Sequence, residues 1–172
     1  GANGNISPAA RSVAYGATTS FTVTPDTGYS ASVSGCGGSL SGSIYTTGAI
    51  TDVCEVSATF VPVVITVAAS DKTATEAGLT TGRYTFTRAG SIAAALTVNY
   101  GVSGTATAGR DYTALGTSVS FPANVAKVTK TVTPLQDSRV EIDESIILTL
   151  IAGTGYAVGT SASGTVILKS DD

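Results

Sequence analysis

Gln136-Asp137-Ser138-Arg139-Val140-Glu141-Ile142-Asp143-Glu144 carries the densest charge of the chain and is flanked on both sides by strand-like sequence. Before it, Val125–Thr133 is rich in Val and Thr and stops at Pro134; after it, Ser145-Ile146-Ile147-Leu148-Thr149-Leu150-Ile151 is a β-branched and aliphatic run that ends at Gly153. The acidic stretch therefore reads as a loop joining two antiparallel strands, with Ile146, Leu148 and Leu150 facing a core. Oxygen ligands crowded onto a short loop suit a hard cation such as Ca²⁺. Without a cation, two carboxylates about 5 Å apart repel by roughly 3 kcal/mol at an effective dielectric of about 20, so the loop needs a counter-charge, wide spacing or protonation. Taken alone, such a run also reads as a solvated turn.

Outward from this loop, the second part of the chain offers the strand candidates Val63–Ala69, Gly82–Arg88, Ala94–Val102, Thr117–Phe121, Val125–Thr133, Ser145–Ile151 and Ser163–Lys169. Their spacing predicts a seven-stranded antiparallel sandwich of immunoglobulin type. If successive strands alternate in direction, so do the poles at which the connections lie. The connections after the first, third, fifth and seventh strands share one pole and hold Asp71 and Glu76, then Asp111, then Asp137, Glu141, Asp143 and Glu144, then Asp171 and Asp172. The connections at the other pole, 89–93, 122–124 and 152–162, hold no acidic residue. Scattered solvated turns have no reason to segregate in this way, and the parity points to a cation-binding pole. Lys72, Arg83, Arg110, Arg139 and Lys169 lie near the same pole and offer the carboxylates salt bridges instead.

Charged residues make up 12% of the 172, about half the usual share of roughly 25%, and His, Trp and Met are absent. The absence of His excludes Ser-His and Cys-His nucleophile pairs and imidazole metal sites, which leaves an enzyme the least expected class. Two carboxylates could support glycosidase chemistry, but that needs a cleft, usually with aromatic sugar platforms, and most of the seven Tyr sit beside Gly or within strand-like runs. A net charge of −3 and a pI near 4.8 argue against nucleic acid or an anionic membrane surface as partners. No signal peptide or membrane-spanning run is present, so no direct membrane insertion is expected. The chain begins at Gly1 rather than Met, from which we expect a piece excised from a longer protein.

In the first part, Ser20–Thr24 and Cys54–Phe60 alternate as strands do and are separated by Pro-Asp-Thr-Gly and Gly-rich segments, which predicts a small all-β module over residues 1–62. A unit of this size buries little apolar surface and gains from a staple. Cys36 and Cys54 are the only cysteines, and a bond between them is expected. Closing a loop of about 18 residues stabilises by roughly 3 kcal/mol in the chain-entropy model and implies an oxidising compartment. Two free buried thiols are the alternative.

Two resemblances follow. Gly4-Asn5-Ile6-Ser7-Pro8, Val13-Ala14-Tyr15-Gly16, Phe21–Tyr29, Cys36-Gly37-Gly38, Tyr45-Thr46-Thr47 and Cys54–Phe60 resemble a short bacterial cell-surface repeat, related to but divergent from the internalin B-type repeats. The resemblance implies a spacer or adhesive role and no catalytic residues. Residues 63–172 resemble a Calx-beta domain in Thr75-Glu76-Ala77-Gly78, Val98-Asn99-Tyr100, Gly104–Thr113, Val119–Ala123, Pro134–Asp137, Val140–Glu144 and Gly155–Gly159. That resemblance implies Ca²⁺ at one tip of the sandwich, with Glu76, Asp111, Asp137, Glu141, Glu144, Asp171 and Asp172 as ligands. Two departures weaken the pattern: Gln136 stands where calcium-binding members carry an acid, and Ser170 takes the first place of what is often a triple Asp. Asp143 is expected to face solvent or Arg139.

The expectation is thus an all-β chain: a small disulfide-stapled module (1–62), then a Calx-beta-like sandwich (63–172), non-enzymatic, calcium-binding and extracellular, secreted or attached to a bacterial surface. Its expected partners are neighbouring domains of a longer chain and a cell-surface or matrix ligand. A metal-independent structural or adhesive spacer is the alternative.

Overall fold

The structure is a computed structural model that describes residues 2–170, and the chain divides into two compact units, residues 1–63 and 64–172. Asp171 and Asp172 lie outside the described residues.

The first unit holds β1 (Gly4–Ser7), β2 (Ser20–Pro25), β3 (Tyr29–Gly35), β4 (Ser39–Ser41), β5 (Ile44–Thr46) and β6 (Val56–Pro62). One sheet has the order β1-β2-β5-β4, and β3 pairs with β6 in a separate ribbon. Alternation predicts that the last strand starts at Cys54, but it starts at Val56, and the backbone explains the difference. Gly35 has φ +113°, and a Cβ there would meet the Glu55 carbonyl oxygen at 1.9 Å; Cys36, at φ +47°, then carries the chain out of the ribbon. Pairing therefore ends at Gly35 opposite Val56, just before Cys36 bonds Cys54 with Cα atoms 5.5 Å apart. Val23 and Tyr45 are buried, and the Tyr45 hydroxyl donates to the Gly35 carbonyl, tying the sheet to the ribbon.

The second unit holds β7 (Val64–Asp71), β8 (Thr73–Thr75), a 3-10 turn (Ala77–Leu79), β9 (Gly82–Ala89), β10 (Leu96–Gly104), β11 (Ser118–Phe121), β12 (Lys127–Val132), β13 (Glu144–Ile151), β14 (Ala157–Val158) and β15 (Ser163–Lys169). Two sheets form, in the orders β11-β10-β13-β15-β8 and β12-β9-β7-β14. Each expected strand is present, and the main pairings are antiparallel, as a sandwich of immunoglobulin type requires. The short β8 and β14 are additions that pair in parallel with β15 and β7.

The acidic stretch joins β12, an edge of one sheet, to β13, inside the other, so the loop crosses between sheets. Its path is set by the loop at 107–112, through a bridge between Tyr112 and Pro134 and a hydrogen bond from the Leu135 N–H to the Asp111 carbonyl, 2.9 Å.

Alternation fills the core. Ile146, Leu148 and Leu150 of β13 and Val98 and Tyr100 of β10 are buried together with Ile65 and Val67 of β7 and Tyr84 and Phe86 of β9. Each aliphatic or aromatic side chain buried in this way stabilises by roughly 1.5–3 kcal/mol. Phe86 and Tyr100, from opposite sheets, meet with ring centroids 5.5 Å apart. Tyr84 also reaches across, its hydroxyl donating to the Ile146 carbonyl at 2.6 Å in a fully buried position.

Burial pushes the Tyr84 phenol from 10.0 up to about 12. The folded state therefore holds this proton more tightly than the unfolded chain, and the stabilisation it brings is complete below the unfolded value and lost as the pH rises through the folded one. Denaturant unfolding of the second unit should lose up to about 3 kcal/mol between those limits. Tyr84→Phe should flatten this alkaline loss and cost about 1 kcal/mol at neutral pH by removing the hydroxyl's bond to the Ile146 carbonyl.

Gly104, at φ +125°, ends β10 against β13, where a Cβ would lie 2.1 Å from the Ser145 carbonyl oxygen. That oxygen also accepts from the Thr105 and Ala106 N–H groups, which start the loop toward Asp111. Gly104→Ala should destabilise the second unit by about 1–3 kcal/mol in urea unfolding.

Candidate metal centre

Asp111 is placed by a tight turn. The Thr107 carbonyl accepts from the N–H groups of Arg110 (3.2 Å) and Asp111 (2.9 Å), and the Thr107 N–H donates to Asp111 Oδ2 at 2.5 Å. The carboxylate is thereby buried and held at one oxygen, while Leu135 clamps its backbone. The same clamp delivers the start of the acidic loop, and ligand oxygens of Asp111, Asp137 and Glu141 come within 4.8 Å of one another. Asp137 is fixed by accepting from the Arg139 N–H at 2.9 Å.

Glu144, the first residue of β13, turns toward this group. Its carboxyl is raised above the ordinary range, first by burial, then by the carboxylate of Asp111; Arg110 opposes the shift, and Glu76 adds to it. Glu76 is buried where β8 gives way to the 3-10 turn, its N–H donating to the Lys169 carbonyl at 3.0 Å and its carbonyl accepting from the Leu79 N–H at 2.9 Å. The Tyr112 phenol is raised by burial and then by the charge of Asp111.

Among the described residues, four buried side-chain polar atoms have no hydrogen-bond partner; three of them are Asp111 Oδ1, Glu144 Oε2 and Ser170 Oγ. All three belong to the segments that form this pole. Ser170, which by sequence counts as a lost charge, here supplies a buried oxygen. Nothing in the local sequence signals that role, because it depends on where β15 ends beside Glu76.

Counter-charges are already present. Arg110 Nη2 donates to Glu141 Oε1, Arg110 Nε lies 3.4 Å from Asp111 Oδ1, and Arg139 Nε lies 3.5 Å from the same Glu141 oxygen. Asp143 is exposed and pairs with Lys169, where the sequence suggested solvent or Arg139; the guanidinium of Arg139 is engaged with Glu141. Gln136 is exposed, its side-chain amide donating to the Asp137 carbonyl at 3.5 Å. Of the expected ligands, Asp111, Asp137 and Glu141 form one group, Glu144 and Glu76 adjoin it electrostatically, and Asp171 and Asp172 lie outside the described residues. The donor set is all oxygen, and its chemistry fits a hard divalent cation.

No curated protein sequence matches the chain. Among solved structures, the apo form of the Calx CBD1 domain is 23% identical, with a TM-score of 0.53 over 64% of this chain and 98% of that one. The calcium binding domain CBD12 of CALX1.1 is 24% identical, with a TM-score of 0.52, and CBD12 from CALX1.2 is 22% identical, with a TM-score of 0.53. Those two matches cover 62% and 63% of this chain but only 44% and 46% of the longer CBD12 chains. At such identities the likeness shows a shared fold. The sequence profile of the Calx-beta domain matches residues 62–171, more than half of the chain, and the chain therefore belongs to the Calx-beta domain family.

Proposed function

We propose that the second unit is a calcium-binding, non-catalytic module, with Asp111, Asp137, Glu141, Glu144 and Glu76 as its described ligands and Asp171 and Asp172 completing the set. The observation that carries this reading is the convergence of three carboxylates within 4.8 Å, one of them the buried Asp111, whose Oδ1 is met only by the ion pair with Arg110 at 3.4 Å. Membership of the Calx-beta family supports it, as does the description of the CALX1.1 structure as a calcium binding domain. When bound, Ca²⁺ supplies the positive charge that lets these carboxylates stay ionised side by side. The chain's own contribution is to hold Asp111 through Thr107 and Leu135 and to bring the acidic loop across from β12, so that ordering the loop couples cation binding to the stability of the pole.

In this reading the first unit is a short bacterial cell-surface repeat related to the internalin B-type repeats, and the protein is secreted or attached to a cell surface. The Cys36–Cys54 bond supports an oxidising compartment. Among the described residues, no helix is long and apolar enough to cross a membrane. The module would hold neighbouring domains of a longer chain and present a face to a cell-surface or matrix ligand. The ion pairs of Arg110 and Arg139 with Glu141 and of Lys169 with Asp143 favour a second reading, a metal-independent spacer whose carboxylates are neutralised internally.

Thermal unfolding in EDTA, Mg²⁺ and Ca²⁺ at matched ionic strength separates the two, with each unit's transition followed on its own. Ca²⁺ at about 100 times Kd should stabilise the second unit by about 3 kcal/mol and leave the first unmoved. Asp137→Asn with Glu141→Gln should abolish that shift; an unmoved wild-type transition leaves the spacer reading.

The raised Glu144 carboxyl makes a second check. Its folded-state proton affinity exceeds the unfolded one, so its stabilising contribution is present at acid pH, below the unfolded value, and is lost as the pH rises through the folded value. In EDTA, lowering the pH from neutrality should therefore raise the melting temperature of the second unit relative to Glu144→Gln. In Ca²⁺ the same change should weaken the metal-induced shift, because protons and cation compete for one carboxylate.

A further inference from the structure

The acidic loop also carries the most exposed aliphatic side chains of the second unit. Val140 is 89% and Ile142 84% exposed, on either side of Glu141, whose side chain is only 15% exposed. Leu79, on the turn that follows Glu76, is half exposed as well, so three of this unit's four exposed large hydrophobics lie on segments of the carboxylate pole; the fourth is Ile151. Single exposed aliphatics are ordinary, whereas several on the loops of one pole mark an interaction surface.

The charges of this pole are sorted by depth. The side chains of Asp111 and Glu141 face inward, whereas those of Arg139, Lys169 and Arg110 are 64%, 49% and 42% exposed. Among the described residues Asp143 and Asp71 are exposed carboxylates, and Lys169 pairs with Asp143. An apolar tip ringed by long basic side chains suits the boundary of an anionic bilayer, where aliphatic groups enter the headgroup layer and the cations reach phosphates.

We propose that Val140, Ile142 and Leu79, with Arg110 and Arg139, form a cation-gated docking surface for anionic phospholipid; the proposal rests on the calcium-binding reading above. The gate is Glu141. Both guanidiniums direct their charge at its Oε1, and Arg110 also faces Asp111. Once these carboxylates give their charge to a divalent cation, Arg110 and Arg139 lose their partner and are left to solvent beside Val140 and Ile142. The exposed side of the loop then presents two guanidiniums without a change of fold. Three aliphatic side chains and a few cations give weak, reversible attachment.

The test is co-sedimentation of the whole chain with vesicles of phosphatidylcholine alone or mixed with phosphatidylglycerol, in Ca²⁺ and in EDTA, with the melting shift measured in the same buffers. Pelleting is expected only with the mixed vesicles and Ca²⁺. Val140→Ser with Ile142→Ser, both at exposed positions, should cut binding about tenfold and keep the Ca²⁺-induced melting shift. Three results overturn the proposal: a melting shift without pelleting, equal pelleting of the variant, or Ca²⁺-dependent self-association that sediments without vesicles. An absent melting shift instead overturns the calcium-binding reading, and this proposal falls with it.

Discussion

Carboxylates held close together at one end of a sandwich are the constraint on which this pole depends. A buried ionised carboxylate is costly unless hydrogen bonds or opposite charge compensate it. Asp111 receives both, from the Thr107 N–H and from Arg110. Glu144 has less, and its carboxyl responds by holding its proton more tightly. The geometry of the loop at 107–112, the crossing of the acidic loop and the positions of two arginines all answer that one electrostatic demand.

The demand can be met only because the rest of the unit is stiff. Tyr84 and the Phe86–Tyr100 contact tie the two sheets together through the core, and β13 presents Glu144 at its first residue as a direct continuation of the buried row Ile146, Leu148 and Leu150. Charge repulsion therefore falls on loops and side-chain protonation, not on the sheets. Gly104 marks the boundary between the two regimes: its contact with Ser145 ends the ladder and starts the loop.

The arginines give the pole a double character. Arg110 and Arg139 are counter-ions of Glu141, and in the calcium-binding reading they are also the groups that a metal would release. A spacer and a cation-responsive surface thus share one set of side chains and differ only in which positive charge satisfies Glu141.

Much of this was legible in the sequence. Period-two alternation placed the seven longer strands of the second unit to within two residues, because a strand with one face in the core must repeat apolar side chains at that interval, but it did not show the short β8 and β14. Counting connections was enough to send Asp111, Asp137 and Glu141 to one pole, since antiparallel succession leaves no other choice. Whether the acidic loop closes a hairpin or crosses between sheets was not legible, because β12 pairs with β9, about 45 residues earlier in the chain, and no local pattern encodes that partner. Nor were the burial of Ser170 Oγ, the aim of both arginines at one oxygen of Glu141, or the outward turn of Val140 and Ile142. Composition and periodicity determine which side chains are available and on which face they start. Depth and pairing at a loop tip arise only when distant segments pack, and the tertiary structure alone decides them.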